Sequence, residues 1–294
     1  MESIRNSAAA PNDLYTNIHP EGDGLRLHLL EWPGAGQVYV LLHGLASNAR
    51  TWGGVGAALA AAGNRVIAVD QRGHGLSDKP DAGYDFASIC ADLHSLLDAL
   101  KLEHPIIVGQ SWGGNVVLEF GARYPGRARG LAFVDGGILD LQEHPSGADW
   151  ESIAEALRPP LLAGTPRSAI QQMIAQHNPE WDDAGVEATL ANFELLPDGT
   201  VRPWLTLDRH MLILRALWEQ RPGDLYPRVT EPVLICAADD GNVVMHGHVV
   251  IVTAGCTRPA HMKESARRAS PSTLRFHAGR LRHSGKDTVS ASAR

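Results

Sequence analysis

Short apolar runs alternate with longer amphipathic or Ala-rich stretches along much of the chain. Val38 to Leu42, Val66 to Val69, Ile106 to Val108 and Gly130 to Val134 are apolar and largely β-branched. Between them, Val55 to Ala62, Phe86 to Leu100 and Asn115 to Tyr124 have the length and composition of helices. Strands without a polar face, separated by helices, predict a mostly parallel twisted sheet covered on both sides, an α/β architecture. A further strand is expected near Leu25 to Glu31, after a polar Asn-, Pro- and Gly-containing segment read as an N-terminal arm, residues 1–24. From Leu139 to Arg228 the rhythm breaks into helical segments, and Trp150, Trp181, Trp204 and Trp218 fall here. This segment reads as a helical lid over the carboxyl edge of the sheet, its tryptophans packing it onto the body. The sheet resumes at Pro232 to Cys236. The predicted organisation is an arm over 1–24, a core from 25–138 and 229–294, and a lid over 139–228.

Composition narrows the class without identifying a function. The 294 residues are 44% hydrophobic and 20% charged, which fits a soluble globular chain with one large core and excludes a disordered polyelectrolyte. A net charge of -7 offers no general attraction to nucleic acid or an anionic membrane. The three cysteines, Cys90, Cys236 and Cys256, are too scattered for a disulfide framework or a metal or redox motif. With no cationic-then-apolar leader at Met1 to Arg5 and no long apolar window, a cytoplasmic location is expected. The charge is unevenly spread: residues 258–294 hold nine Lys and Arg against two Asp and Glu, while residues 1–257 are strongly acidic.

The candidate chemistry centres on Gly109-Gln110-Ser111-Trp112-Gly113, directly after the Ile106 run and before the Asn115 helix. A serine on a sharp strand-to-helix turn needs neighbours without side chains two residues away, and Gly109 and Gly113 meet that need. The turn lifts the hydroxyl above the sheet at a helix N-terminus, where developing negative charge is favoured.

With these residues the chain resembles the α/β-hydrolase superfamily over about residues 25 to 240. His43-Gly44-Leu45-Ala46 after one strand and Asp70-Gln71-Arg72-Gly73-His74-Gly75-Leu76-Ser77-Asp78 after the next are similar to two further hallmarks of that family. The resemblance implies Ser111 as nucleophile, with the backbone N–H groups of Leu45 and Trp112 forming the oxyanion hole. It leaves His43 and Asp70 as scaffold. Relatives that open epoxides or displace halide carry aspartate at the serine's position, so serine directs the chemistry to acyl carbon.

In this family the chain order is Ser, acid, His. The turn after the Pro232 strand puts the acid at Asp240, beside Asp239, and a minority geometry offers Asp135 instead. The base is expected after a last strand, Thr273 to Gly279, which points to His283, with His277 as the alternative. Two features depart from the pattern: Val243 to Val252 reads as strand where a helix is expected, and the residues after His283 are Ser-, Gly-, Lys- and Arg-rich, as a divergent or frameshifted end would be. His246-Gly247-His248 raises a metal site, but the family chemistry needs none, and no cofactor is expected. The expected activity is hydrolysis of a carboxylic ester of a small molecule. Alternatives are a prolyl-aminopeptidase-like enzyme using lid acids (Glu151, Glu155, Asp182, Asp183 or Glu194), a lactone or carbon-carbon bond hydrolase, or an inactive, receptor-like relative.

Overall fold

The computed structural model describes residues 10–20, 24–143, 149–238, 243–246 and 249–254. In chain order the body begins with β1 (Asn12–Ile18), β2 (Leu25–Trp32), β3 (Val38–Leu42), α1 (Gly53–Ala61) and β4 (Arg65–Val69). It continues with α2 (Phe86–Ala99), β5 (Ile106–Gln110), α3 (Trp112–Arg123) and β6 (Gly130–Val134). The insertion holds α4 (Trp150–Ala156), β7 (Thr165–Pro166), α5 (Arg167–His177), α6 (Asp183–Leu190), β8 (Phe193–Leu195), β9 (Thr200–Pro203), α7 (Leu207–Glu219) and α8 (Pro222–Leu225). The body resumes with β10 (Val233–Ala238), β11 (Val243–His246) and β12 (Val249–Ala254).

Among the described residues the body strands form one sheet in the order β1-β2-β4-β3-β5-β6-β10-β12-β11. From β4 to β12 every neighbouring pair is parallel, while β1, β2 and β11 pair antiparallel at the margins. The apolar runs alternate between two cores, as the period of two along a strand requires. Val40, Leu42, Ile67, Val69, Ile107, Leu131 and Phe133 join one buried cluster with α2 and α3. Leu41, Val66, Ala68, Val108 and Ala132 join the other, against which Leu59 and Ala60 of α1 pack. Helix α3 is buried from Trp112 to Ala122, so the element that carries the elbow runs through the middle of the molecule.

Three expectations change. Residues 12–18 are not an arm but the edge strand β1, registered from Asn12 opposite Glu31 to Ile18 opposite Leu25. The strand is polar and exposed except at its Ile18 end, which is why its sequence reads as a loop. The insertion is not wholly helical: β7, β9 and β8 form a small antiparallel sheet. With two to four residues each, these strands are too short to show alternation. The β8–β9 turn is nevertheless spelled by Pro197-Asp198-Gly199, with Gly199 at φ 80°. The third change is from the family pattern alone: at β11 and β12 the β-branched stretch is strand, as its residues read, where the family has a helix; β12 lies parallel to β10.

The insertion is anchored in two ways. Ile153, Ile213, Leu214 and Leu217 from α4 and α7 enter the main core cluster. Ile170, Ile174, Val186, Leu190 and Val201 form a separate small core within the insertion. Trp150 and Trp218 sit together with ring centroids 6.2 Å apart and Arg215 over both, which bears out packing for this pair.

Candidate active site

Strand β5 ends and α3 begins without an intervening loop, and the chain reverses at Ser111, with φ 52° and ψ -123°. Non-glycine residues in that region are strained, and here the strain is held by packing. A Cβ at Gly109 would lie 2.1 Å from the Gly113 carbonyl oxygen, and one at Gly113 would lie 2.6 Å from the carbonyl oxygens of Leu42 and His43. Both positions therefore admit no side chain. The Ser111 N–H donates to Val134 O at 2.9 Å and the Gly114 N–H to Ser111 O at 2.8 Å. The hydroxyl does not cap α3, although serine commonly does so at a helix start. It is thus held at the carboxyl edge of the sheet for another task.

The loop after β3 approaches the elbow closely: a Cβ at Gly44 would lie 3.3 Å from Ser111 Cβ. His43 orients this loop. Its Nδ1–H donates to Gly44 O at 2.8 Å, and its Nε2 accepts the Gln71 N–H at 3.1 Å, an assignment that requires the neutral ring. Burial holds the ring's pKa below the ordinary histidine value, in agreement with that tautomer. Because a trans peptide points its carbonyl and the following N–H in opposite directions, fixing Gly44 O also fixes the direction of the Leu45 N–H. The Ser47 N–H adds a second donor to Gly44 O at 3.2 Å.

Behind this loop lies a buried ionic cluster. Asp70 Oδ2 receives His28 Nδ1 at 2.8 Å and the Leu76 N–H at 2.9 Å, while Oδ1 receives the Ala49 N–H at 2.6 Å. The opposite ring nitrogen, His28 Nε2, lies 2.5 Å from Asp13 Oδ1 on β1. Burial alone would raise the Asp70 pKa, but the His28 hydrogen bond and the Leu76 and Ala49 N–H groups outweigh it and hold the value at about 2. For His28 burial is likewise outweighed, here by the two carboxylates, and its pKa is raised. Asp70 therefore ties the loop after β3, the residue 70–78 loop and, through His28, the edge strand together. Sequence reasoning left Asp70 as scaffold and missed its partners, because Asp13 and His28 come from strands that meet only in the sheet.

His74 completes the wall. Its ring stacks on Trp112 with centroids 5.5 Å apart, its Nδ1–H donates to Arg72 O, and its Nε2 accepts the Ala46 N–H at 3.3 Å. Burial, helped by His43 nearby, lowers its pKa to about 3. Beside it a cavity of about 460 Å³ opens between the body and the insertion, lined by Ala46 and His74 below and by Phe193, Trp204 and Leu205 above.

Several polar contacts couple insertion to body, and two of them involve asparagines close to the elbow. Asn115, one turn after Ser111, donates to Gln220 Oε1 at 2.7 Å and accepts the Gly137 N–H at 3.1 Å. Asn48, in the loop after β3, donates to Ala188 O at 2.8 Å and Asn192 Oδ1 at 2.5 Å, and its own Oδ1 accepts the Arg50 N–H. It is 2% exposed. Asn48→Ala leaves Asn192 without this partner and is expected to destabilise the protein by about 1–3 kcal/mol. Urea unfolding measures this, and faster proteolytic nicking of the insertion accompanies it. Wild-type stability in that variant would show that Asn48 holds nothing.

The other expected site residues are placed as follows. Asp135 follows β6, one strand over from Ser111, at φ 49°, with its N–H donating to Cys236 O at 2.8 Å. Asp240, His277 and His283 lie outside the described residues, as does His248. Among the described residues no group of three or more His, Cys, Asp and Glu could hold a metal ion, and no helix is long and apolar enough to cross a membrane. Of the lid acids, Glu151, Glu155, Asp182 and Asp183 are exposed, and Glu194 is paired with Arg202.

A parallel sheet with helices on both faces, an insertion over its carboxyl edge and a serine on a left-handed elbow make up the α/β-hydrolase fold. Residues 38–178 match the family model described as alpha/beta hydrolase fold. An uncharacterized protein of Mycobacterium tuberculosis is 41% identical over 137 residues, 44% of this chain and 39% of that protein. Bifunctional epoxide hydrolase 2 of Mus musculus is 34% identical over 127 residues, 42% of this chain and 22% of that protein. The chain thus spans less than half the length of these curated relatives. Among solved structures, an E-2-(acetamidomethylene)succinate hydrolase superposes with a TM-score of 0.64 at 24% identity, covering 83% of this chain and 91% of that one.

Proposed function

We propose that the protein is a serine hydrolase that cleaves a carboxylic ester, or a similar acyl bond, of a small molecule through an acyl-enzyme. The observation that carries this reading is Ser111 itself: a hydroxyl that does not cap its helix, on a glycine-cradled left-handed turn facing the Leu45 loop. Ser111 Oγ attacks the carbonyl carbon as its proton passes to His283, which Asp240 orients. The carbonyl oxygen takes the negative charge and is stabilised by the Leu45 and Trp112 N–H groups. Collapse breaks the bond to the leaving alkoxide, which takes the proton from His283. Water then attacks the acyl-enzyme, His283 accepts its proton, and the carboxylic acid departs as Ser111 is regenerated.

The likeness to epoxide hydrolases does not carry their chemistry here, because an alkyl-enzyme ester requires a carboxylate nucleophile and this chain has serine. An aminopeptidase needs acids turned to the substrate's ammonium; among the described residues no Asp or Glu lines the cavity. Incubation with a fluorophosphonate probe and with chromogenic short-chain esters tests the proposal. Labelling at Ser111 and ester turnover are expected, with prolyl anilide left intact. Absence of both labelling and turnover would sink it, as would faster release from prolyl anilide.

A further inference from the structure

The cavity between the body and the insertion has an electrostatic character that bears on what it can hold. Trp204, Phe193, Leu162 and Leu205 are among its apolar lining residues. Its titratable lining residues, among those described, are His74, His210 and Arg202. Each is spent or neutral. Both ring nitrogens of His74 are engaged with backbone groups. Burial lowers the pKa of His210 to about 4, so its imidazole is uncharged at neutral pH. Arg202 stands at the rim with 60% of its side chain exposed, and its guanidinium Nε donates to Glu194 Oε2 at 2.9 Å.

A further cation, Lys79, lies 4.6 Å from the centroid of the Trp204 ring. Its ammonium donates to Gly75 O at 2.8 Å and Ser77 O at 2.7 Å. Arg209, on α7, is likewise committed to Lys79 O, Pro80 O and Asp81. The positive groups around the cavity are thus bound to protein oxygens, and no acid among the described residues faces its interior. A charge placed there would lose its hydration without gaining a counter-ion, which costs several kcal/mol.

Two of its lining residues, Ala46 and His74, adjoin residues assigned to the proposed reaction centre. Ala46 follows Leu45, whose N–H is assigned to the oxyanion hole, and His74 stacks on Trp112, whose N–H is the other donor. We infer that this cavity receives the organic group next to the scissile carbonyl and selects an uncharged alkyl or aryl group over carboxylate- and ammonium-bearing ones. The inference rests on the acyl-transfer reading for its position in the reaction, but its charge preference concerns the cavity alone.

Two measurements separate these parts. The first compares kcat/KM for p-nitrophenyl hexanoate, the near-isosteric mono-p-nitrophenyl glutarate and the 6-ammoniohexanoate ester. The neutral ester is expected to exceed each charged one by about 100-fold, the desolvation penalty of an unpaired charge. Glu194→Gln, which frees Arg202, is expected to narrow the gap for the glutarate ester but not for the ammonium ester.

The second measurement needs no turnover: quenching of Trp204 fluorescence by 2-octanone against octanoate, with Trp204→Phe as the control. Binding of 2-octanone alone, with its signal lost in the control, is expected. Octanoate binding as tightly as the ketone, no binding of either, or a signal unchanged in Trp204→Phe overturns the inference. Discrimination in quenching with no ester turnover and no Ser111 labelling leaves the cavity assignment standing and overturns the acyl-transfer reading. Turnover with equal rates for all three esters does the reverse.

Discussion

Ser111→Ala is expected to lower ester turnover by about 10⁴-fold or more while leaving the fold intact. The hydroxyl makes no capping bond to α3, so its removal takes away the nucleophile and little else. Alanine at φ 52° carries the same backbone strain as serine, so stability should be nearly unchanged. Ester kinetics together with urea unfolding check both halves. Substantial turnover in the variant would remove Ser111 from the chemistry. A large loss of stability would show instead that the hydroxyl supports the elbow.

The second large effect is expected at Asp70. Asp70→Ala leaves His28 with only the half-exposed Asp13 as its carboxylate partner and orphans the Ala49 and Leu76 N–H groups, which should cost about 3–5 kcal/mol. The same cluster sets a pH profile. Asp70, held at about 2, contributes stability above the ordinary carboxylate value of 3.8, and that contribution disappears as pH falls from there through about 2. His28 has a raised pKa, so its contribution is complete below 6.5 and fades as pH climbs through the raised value. Urea midpoints measured across pH should therefore be highest near 6.5 and decline on the alkaline side as His28 loses its proton; on the acid side they decline first because the buried neutral rings of His43, His74 and His210 take up protons only on unfolding, and further from 3.8 through about 2 as Asp70 is protonated. Asp70→Asn should remove only the part of the decline that lies below about 3.8. A wild-type profile unchanged down to pH 2 would show that the carboxylate is not stabilised in this way.

Both effects arise from one arrangement. The elbow carries Ser111, the proposed nucleophile, and the Asp70 cluster holds the loop whose Leu45 N–H is proposed for the oxyanion hole. Loss of Asp70 should therefore reach the chemistry as well as the fold, since His43 and Ala49 lie on the same loop.

The elements that the sequence made legible share one property: their signal is local. The β3, β4, β5 and β6 strands are apolar on both faces because each is buried on both faces, and a continuous run is visible without knowing the neighbours. The Gly109-Gln110-Ser111-Trp112-Gly113 turn is legible for the same reason, since the glycines answer a clash between residues close in the chain. β1 was hidden because its partner β2 supplies the hydrogen bonds and its own side chains remain polar. The lid strands were hidden by shortness, although Pro197-Asp198-Gly199 marked their turn. For the acid and base, the sequence could offer Asp240 against Asp135 and His283 against His277 only by family order.

By itself, then, the sequence determined an α/β body with an insertion and a serine elbow, because hydrophobic period and glycine placement are written residue by residue. Only the tertiary structure decided what surrounds that serine. It joined Asp13, His28 and Asp70 into one charge cluster, seated His74 on Trp112, and closed a cavity whose nearby cations are already bound. Those features depend on groups distant in the chain, and charge pairing and desolvation are set by three-dimensional neighbours that no local pattern encodes.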